Sequence, residues 1–186
     1  MEIDANYTRV TSVLSPFSGF NLIPAYILKN AAERGTIVHQ ACTAIMDDIG
    51  VPDLDEKYEG YIKSFQKWNI GKKYVDRPPR MYCDKYMITG EVDAIYEDED
   101  GLVLVDFKTP IKESNTWPHQ GSAYSYLLKL IGYDIKKIEF VKLCKNGNEP
   151  KIYVYQEDFY SFLEMLHVYN KFFKDLKKEE IEIDYL

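Results

Sequence analysis

Gly90-Glu91-Val92-Asp93-Ala94-Ile95-Tyr96-Glu97-Asp98-Glu99-Asp100-Gly101-Leu102-Val103-Leu104-Val105-Asp106-Phe107-Lys108 is the stretch that decides the fold class. Met87 to Tyr96 is rich in Ile and Val and reads as a strand. Glu97 to Gly101 is an acidic turn closed by glycine. Leu102 to Lys108 is nearly all apolar, as a strand covered on both faces of a sheet must be, and Pro110 ends it. Asp106 and Lys108 are two apart on that strand and so share a face.

The hairpin has a register consequence. If the turn closes by pairing Asp98 with Gly101, or Glu97 with Leu102, Asp93 falls opposite Asp106 and Glu91 opposite Lys108. Directly paired side chains have Cβ atoms about 5 Å apart, and like charges at that spacing repel unless a proton or cation lies between them. Such a pair suits a hard divalent ion such as Mg²⁺, which takes one or two carboxylates and keeps several waters. Lys108 would then be placed to orient a water or to neutralise a developing oxyanion. On this reading, removing either carboxylate leaves the stability of the metal-free chain unchanged or slightly higher. The same spacing also fits a solvated strand end with an ordinary Glu91–Lys108 ion pair, and spacing alone leaves both readings open.

Outward from this hairpin the chain alternates helix and strand. Thr8 to Pro24 mixes Ser, Pro, Gly and Phe and reads as largely irregular. Val38, Ala41/Cys42, Ile45 and Ile49 recur at helical spacing, which predicts a helix from Ala31 to Ile49. A second helix is expected from Glu56 to Trp68, with Gly71 as its stop. Arg80–Tyr86 follows the Pro78–Pro79 break as an edge strand. A crossover helix is expected from Pro118 to Ile131. The strands Lys137–Cys144 and Lys151–Tyr155 are joined through Asn146-Gly147-Asn148. Phe159 to Lys178 closes the chain as an amphipathic helix. Helices, a three-strand meander, a crossover helix, two strands and a closing helix predict an α/β domain with a mixed central sheet.

The 186 residues suffice for one domain with a real core, at 46% hydrophobic residues. Basic residues number 23 and acidic 30, for a net charge of −7, which argues against a polycation coating nucleic acid without regard to sequence. Cys42, Cys83 and Cys144 are far apart and form no CxxC pair, so the sequence offers neither a zinc knuckle nor an iron–sulfur cluster. The absence of a disulfide pattern favours a reducing compartment. Met1 to Val10 has no apolar stretch of the signal-peptide kind, and no run approaches the ~18 apolar residues of a membrane helix. A cytoplasmic protein without a membrane partner is expected.

Two basic groups stand out against the acidic total: Lys72, Lys73, Arg77, Arg80 and Lys85, and Lys136, Lys137, Lys142, Lys145 and Lys151. Either can track a phosphate backbone or be a solvated face. The first group is the candidate nucleic-acid surface. Trp117, just before the crossover helix, is the candidate for stacking on unpaired bases; Phe17 and Phe20 read better as core.

Helical spacing supplies further candidates. Gly35 and His39 are four apart on one stripe, off the apolar face, and a glycine there leaves room for a strand or ligand beside the imidazole. Gln120 and Tyr124 share another stripe and can present an amide and a phenol to a phosphate. Each pair alone is equally an ordinary structural contact.

In order along the chain, Gly35-x-x-x-His39, Gly90-x-x-Asp93, Asp106-x-Lys108 and Gln120-x-x-x-Tyr124 resemble the motifs of the PD-(D/E)XK nuclease superfamily. The similarity is to its RecB-like branch, close to small phage-type exonucleases and the mitochondrial genome maintenance exonuclease. Val10–Leu14 and Ala32-Glu33-Arg34-Gly35-Thr36 are similar to the leader of that group. The resemblance covers Thr8 to Tyr155. It implies a restriction-endonuclease-like fold, with residues 1–30 as leader, 31–155 as nuclease core and 156–186 as C-terminal helix of one domain.

It also implies an activity: a Mg²⁺- or Mn²⁺-dependent deoxyribonuclease of exonuclease type, acting on linear duplex or single-stranded DNA. A recombination or replication protein is the kind of partner it suggests, and it implies no particular oligomeric state. By resemblance, His39, Asp93, Asp106 and the backbone carbonyl of Phe107 hold the metal, Lys108 is the catalytic lysine, and Gln120 and Tyr124 lie near it and the DNA backbone. Many relatives carry a further Glu before the Gly-x-x-Asp motif, whereas Arg77 to Cys83 here contains no acid. Two alternatives remain: a non-catalytic nucleic-acid-binding or assembly module on the same fold, and a metal-dependent phosphodiesterase acting on another substrate.

Overall fold

In a computed structural model of the chain, residues 6–19 and 22–174 are described. The 102–108 run does what its composition requires. Strand β6 (Gly101–Lys108) is the middle of a five-stranded sheet and is buried over most of its length. It pairs antiparallel with β5 (Ala94–Asp98), and the turn closes on the Asp98–Gly101 pair. On its other side it pairs parallel with β7 (Ile135–Lys142), which pairs antiparallel with β8 (Lys151–Tyr155). The sheet is therefore mixed and flanked by helices, as expected.

Alternation along β6 divides the core in two. Val103, Val105 and Phe107 face helices α2 (Ala25–Met46) and α3 (Glu56–Asn69). Leu104 faces α4 (Trp117–Leu130), the crossover between β6 and β7, and α5 (Phe159–Phe172). By the same period Asp106 and Lys108 point to the α4 side. Asp55 caps α3 by accepting from the Lys57 amide at 3.0 Å, and Asp158 caps α5 by accepting from the Ser161 amide at 3.0 Å.

Four expectations need correction. First, Met87 to Tyr96 is not one strand. Ile88–Gly90 forms β4, which joins β1 (Thr8–Arg9) and β3 (Met81–Cys83) in a separate three-stranded sheet. Glu91 to Asp93 carry the chain from that sheet to β5, so there is no continuous three-strand meander. The edge position beside β5 is taken instead by β2 (Lys73–Asp76), a short bulged strand that the sequence reading passed over.

Second, Thr8 to Pro24 holds β1, a short helix α1 (Val10–Leu14) and a 3-10 turn (Ser15–Phe17). Val10, Val13 and Leu14 are buried in the α4-side core, because three apolar side chains within one helical turn need a partner surface. Third, α2 starts six residues earlier than expected. Nothing between Pro24, its N-cap, and Gly35 breaks a helix, and its first turns expose Tyr26 and Ile27 rather than forming an amphipathic stripe. Fourth, α5 ends at Phe172, and the last part of the expected helix, residues 175–178, lies outside the described residues. Among the described residues no helix is long and apolar enough to cross a membrane.

Candidate active site

The carboxyl end of β6 lies where α2 and α4 approach from opposite faces of the sheet. Asp106 is 3% exposed. Its Oδ1 accepts from Gln120 Nε2 at 3.3 Å, and its Oδ2 faces Lys108 Nζ at 2.7 Å. The Lys108 ammonium donates to Gln120 Oε1 at 3.0 Å, and Gln120 Nε2 also donates to the Tyr124 hydroxyl at 3.1 Å. Aromatic rings form the ammonium's other wall: Nζ is 5.0 Å from the Phe140 ring centre and 6.0 Å from that of Trp117. Two residues of α4 thus fix both the acid and the lysine at the strand end.

Asp93 comes from the link before β5. Its Oδ2 accepts from the Phe107 amide at 2.7 Å, and its Oδ1 is 2.8 Å from His39 Nδ1, so α2 reaches over the sheet edge to meet it. With Nδ1 donating to the carboxylate, His39 Nε2 is left as the ring's free nitrogen. Gly90 shapes the same corner: a Cβ there would stand 2.6 Å from the Tyr124 ring, so only glycine lets that phenol pack beside β4. At Gly35 an added Cβ would meet nothing within 4 Å; the room beside His39 opens into a cleft and is not filled by a strand.

The environment drives the two carboxylates apart. Burial opposes charge on both. At Asp106 burial prevails, with Asp93 adding repulsion and Lys108 opposing them, and its pKa is raised. At Asp93 burial is outweighed by His39, Lys108 and the Phe107 amide, and its pKa is lowered. Burial also works against a charged His39, yet Asp93, with Asp106 behind it, raises the pKa of the ring. Burial, with Asp106 adding to it, raises the Tyr124 phenol well above its usual range and so keeps it neutral.

The sequence-based candidates therefore divide. His39, Asp93, Asp106, the Phe107 backbone, Lys108, Gln120 and Tyr124 come together. Glu91 does not pair with Lys108: the chain has left the ladder there, and Glu91 is turned outward to Arg80 at 2.9 Å. Trp117 is not free to stack on a base. It is 4% exposed, lying 5.7 Å from Phe140 and edge-on to Tyr153 at 5.5 Å, because the first turn of α4 needs an apolar anchor on the sheet. Arg77 and Arg80 border the His39–Asp93 cleft, about 820 Å³ in volume, but Arg77 is paired with Asp47 at 3.3 Å and Arg80 with Glu91. Lys72 and Lys73 are not brought to the site: Lys72 lies over the Trp68 ring, and Lys73 pairs with Glu97 toward the far end of β5. Phe17 packs edge-on to Phe173, and Phe20 lies outside the described residues.

The donor set suits the divalent cation that the resemblance implies. Two carboxylates and one imidazole are hard to borderline ligands appropriate to Mg²⁺ or Mn²⁺. Asp106 Oδ2 is buried and accepts no hydrogen bond in good geometry, despite the nearby ammonium. Among the described residues no three His, Cys, Asp or Glu side chains already stand together as a metal-holding group: Asp93 is engaged by His39 and Asp106 by Lys108. The residues fit such an ion in kind and would exchange these pairings to hold it.

No known family's sequence profile matches the chain, and no curated protein matches it by sequence. Solved structures similar to it include an alkaline exonuclease from Laribacter hongkongensis, at 12% identity, covering 99% of this chain and 94% of that one, with a TM-score of 0.49. Another is the structure described as SSO0001, at 16% identity, covering 87% and 74%, with a TM-score of 0.43. At such identity and superposition, neither likeness says what this chain acts on.

Proposed function

We propose that the chain is a Mg²⁺- or Mn²⁺-dependent deoxyribonuclease that hydrolyses DNA phosphodiester bonds, acting from strand ends as an exonuclease. The observation that carries this reading is the Asp106–Lys108–Gln120 cluster: a carboxylate with a raised pKa and an ammonium, held together at a buried strand end beside a second, ionised carboxylate. A solvated strand rim has no use for such burial.

The residues divide the work. Asp93, Asp106, the Phe107 carbonyl and His39 would hold the ion; when bound, it lowers the pKa of water and offsets charge on the phosphate. Lys108, fixed by Gln120, donates to the attacking water or to a non-bridging oxygen, where negative charge grows as water adds to phosphorus and the bond to the leaving sugar oxygen breaks. Tyr124 stays neutral and locks the Gln120 amide. Tyr96 Oη donates to Asn69 and takes no part.

Digestion of end-labelled linear, nicked and closed circular DNA in Mg²⁺, Mn²⁺ or EDTA tests this reading. Loss of label from linear DNA with either metal, none in EDTA, and an intact closed circle are expected. Binding without cleavage under every condition would favour the non-catalytic module, and cleavage of small phosphodiesters but not DNA would favour another substrate.

A further inference from the structure

Beyond Lys108, on the side away from His39, lies a second cleft of about 510 Å³ with nearly apolar walls. Leu14 of α1 and Ile27 and Leu28 of α2 form one side, Pro110 and Trp117 the other, and Lys108 and Gln120 border its inner end. Ile27 is 43% exposed there. The cleft is continuous with two shallower hollows around the carboxyl ends of β6 and β7. It shares Thr109 and Pro110 with the first, and the first shares Tyr61 and Lys145 with the second.

The cations along this path differ from those of the His39 cleft, where Arg77 and Arg80 are both paired with acids. Lys145 has no ion-pair partner among the described residues. Among those residues Lys142 donates only to the Ile111 carbonyl at 2.9 Å, and Arg34 only to the Thr109 hydroxyl at 3.3 Å. None of these acceptors is an anion. One carboxylate, Glu33, borders the far hollow beside Lys57, which is itself paired with Asp55 at 3.1 Å. The position of Lys145 is fixed by a close approach: a Cβ at Gly60 of α3 would stand 1.7 Å from the Lys145 carbonyl oxygen, so the loop rests directly on the helix backbone.

Apolar walls beside uncompensated cations suit a ligand with exposed apolar faces and regularly spaced anions. A duplex presents its phosphates but hides its base faces. An unpaired strand presents both. We infer that this trough binds an unpaired DNA strand leaving the site, with a base in the apolar cleft and backbone phosphates on Lys142 and Lys145. The inference rests on the nuclease reading for the position of the scissile phosphate and adds the substrate's form and path.

Fluorescence anisotropy in EDTA tests it, with a labelled oligothymidylate and a blunt hairpin duplex as probes, because binding is then read without turnover. The oligothymidylate should bind more tightly than the hairpin. In Lys142→Ala/Lys145→Ala its affinity should fall, and the slope of log K against log salt should drop by about 1.4, the value for two phosphates on a single strand. Ile27→Asp, which places a carboxylate in the apolar cleft, should weaken binding at least about fivefold, the effect of about 1 kcal/mol for a polar group desolvated without a partner. Lys136→Ala/Lys137→Ala, which removes cations already paired to Asp134 and Asp98, should change affinity far less.

Equal affinity for both probes would overturn the inference, as would an unchanged salt slope in the Lys142/Lys145 variant. The nuclease reading fails separately: a wild-type protein that binds the oligothymidylate through these lysines but cuts nothing in Mg²⁺ or Mn²⁺ keeps the trough and loses the catalysis.

Discussion

The His39 cleft and the trough that runs outward beyond Lys108 both carry basic residues and hold them differently. On the His39 side every cation has an acid: His39 has Asp93, Arg77 has Asp47 and Arg80 has Glu91. Along the trough, among the described residues, Arg34, Lys142 and Lys145 meet only a hydroxyl, a carbonyl or nothing. A paired cation has already given up much of its attraction for a phosphate, so the basic residues that matter for binding are those the fold leaves uncompensated. The same contrast runs through the centre. Asp93 is fully supported as a carboxylate, whereas Asp106 is held in a site that disfavours its charge.

The sharpest way to break the comparison is to neutralise each acid in turn and measure cleavage. Asp106→Asn and Asp93→Asn should each lower the single-turnover rate by at least about a hundredfold, since each removes a carboxylate proposed to hold the metal ion at the reacting centre. Normal cleavage in either variant would return that residue to a structural role.

Stability in EDTA should separate the two acids, and here the structure revises the expectation that removing either is harmless. Asp93→Ala loses the Phe107 amide bond and the His39 bond, and should cost about 2 kcal/mol in urea unfolding. Asp106→Asn should leave stability unchanged or raise it: a carboxyl with a raised folded pKa costs stability at every pH above that value, and the amide removes the cost. A destabilised Asp106→Asn would contradict the assigned environments.

A smaller effect is expected from pH. His39 has a raised folded pKa, so its contribution is fully present below its ordinary value of 6.5 and is lost as pH rises through the folded value. Asp93, with a lowered folded pKa, contributes above 3.8 and loses this as pH falls through its folded value. The stability difference between wild type and His39→Gln in EDTA should therefore be largest between pH 3.8 and 6.5 and shrink in mild alkali. A difference that grows with pH would mean the ring is held neutral.

The smallest effect should come from the paired rim. Arg80→Ala removes a cation already engaged by Glu91, and binding of the oligothymidylate should fall by less than about threefold. A larger loss would erase the distinction between the clefts.

Much of the fold was legible because β6 is so one-sided in composition: an apolar run ending in Asp-Phe-Lys has few places to go except the centre of a sheet, and its turn set the register. What escaped had physical reasons. The link Glu91–Asp93 leaves the ladder because β4 belongs to another sheet, so the predicted Glu91–Lys108 rung does not exist. β2 is four residues long with a bulge, too short for its period to show. Trp117 reads the same in sequence whether it faces a base or Phe140. The seven candidates that cluster at the β6 strand end were reached through four weak motifs in order, each of which alone reads as an ordinary contact. Lys142 and Lys145 were visible only as charge, since compensation by an acid is a property of the folded surface.

The most direct test of the central claim is single-turnover cleavage by Lys108→Ala, with DNA binding measured in Ca²⁺. Lys108, held by Gln120 and Asp106, is the residue proposed to act on the reacting phosphate, and it is not among the proposed metal ligands. The rate should fall about a hundredfold to a thousandfold, with DNA affinity reduced only by the loss of one phosphate contact, and Lys108→Arg should not restore it, because a planar guanidinium cannot replace a compact ammonium between Gln120 and Phe140. A variant that cuts at the wild-type rate would show that Lys108 only neutralises Asp106, and the proposed mechanism would be wrong at its centre.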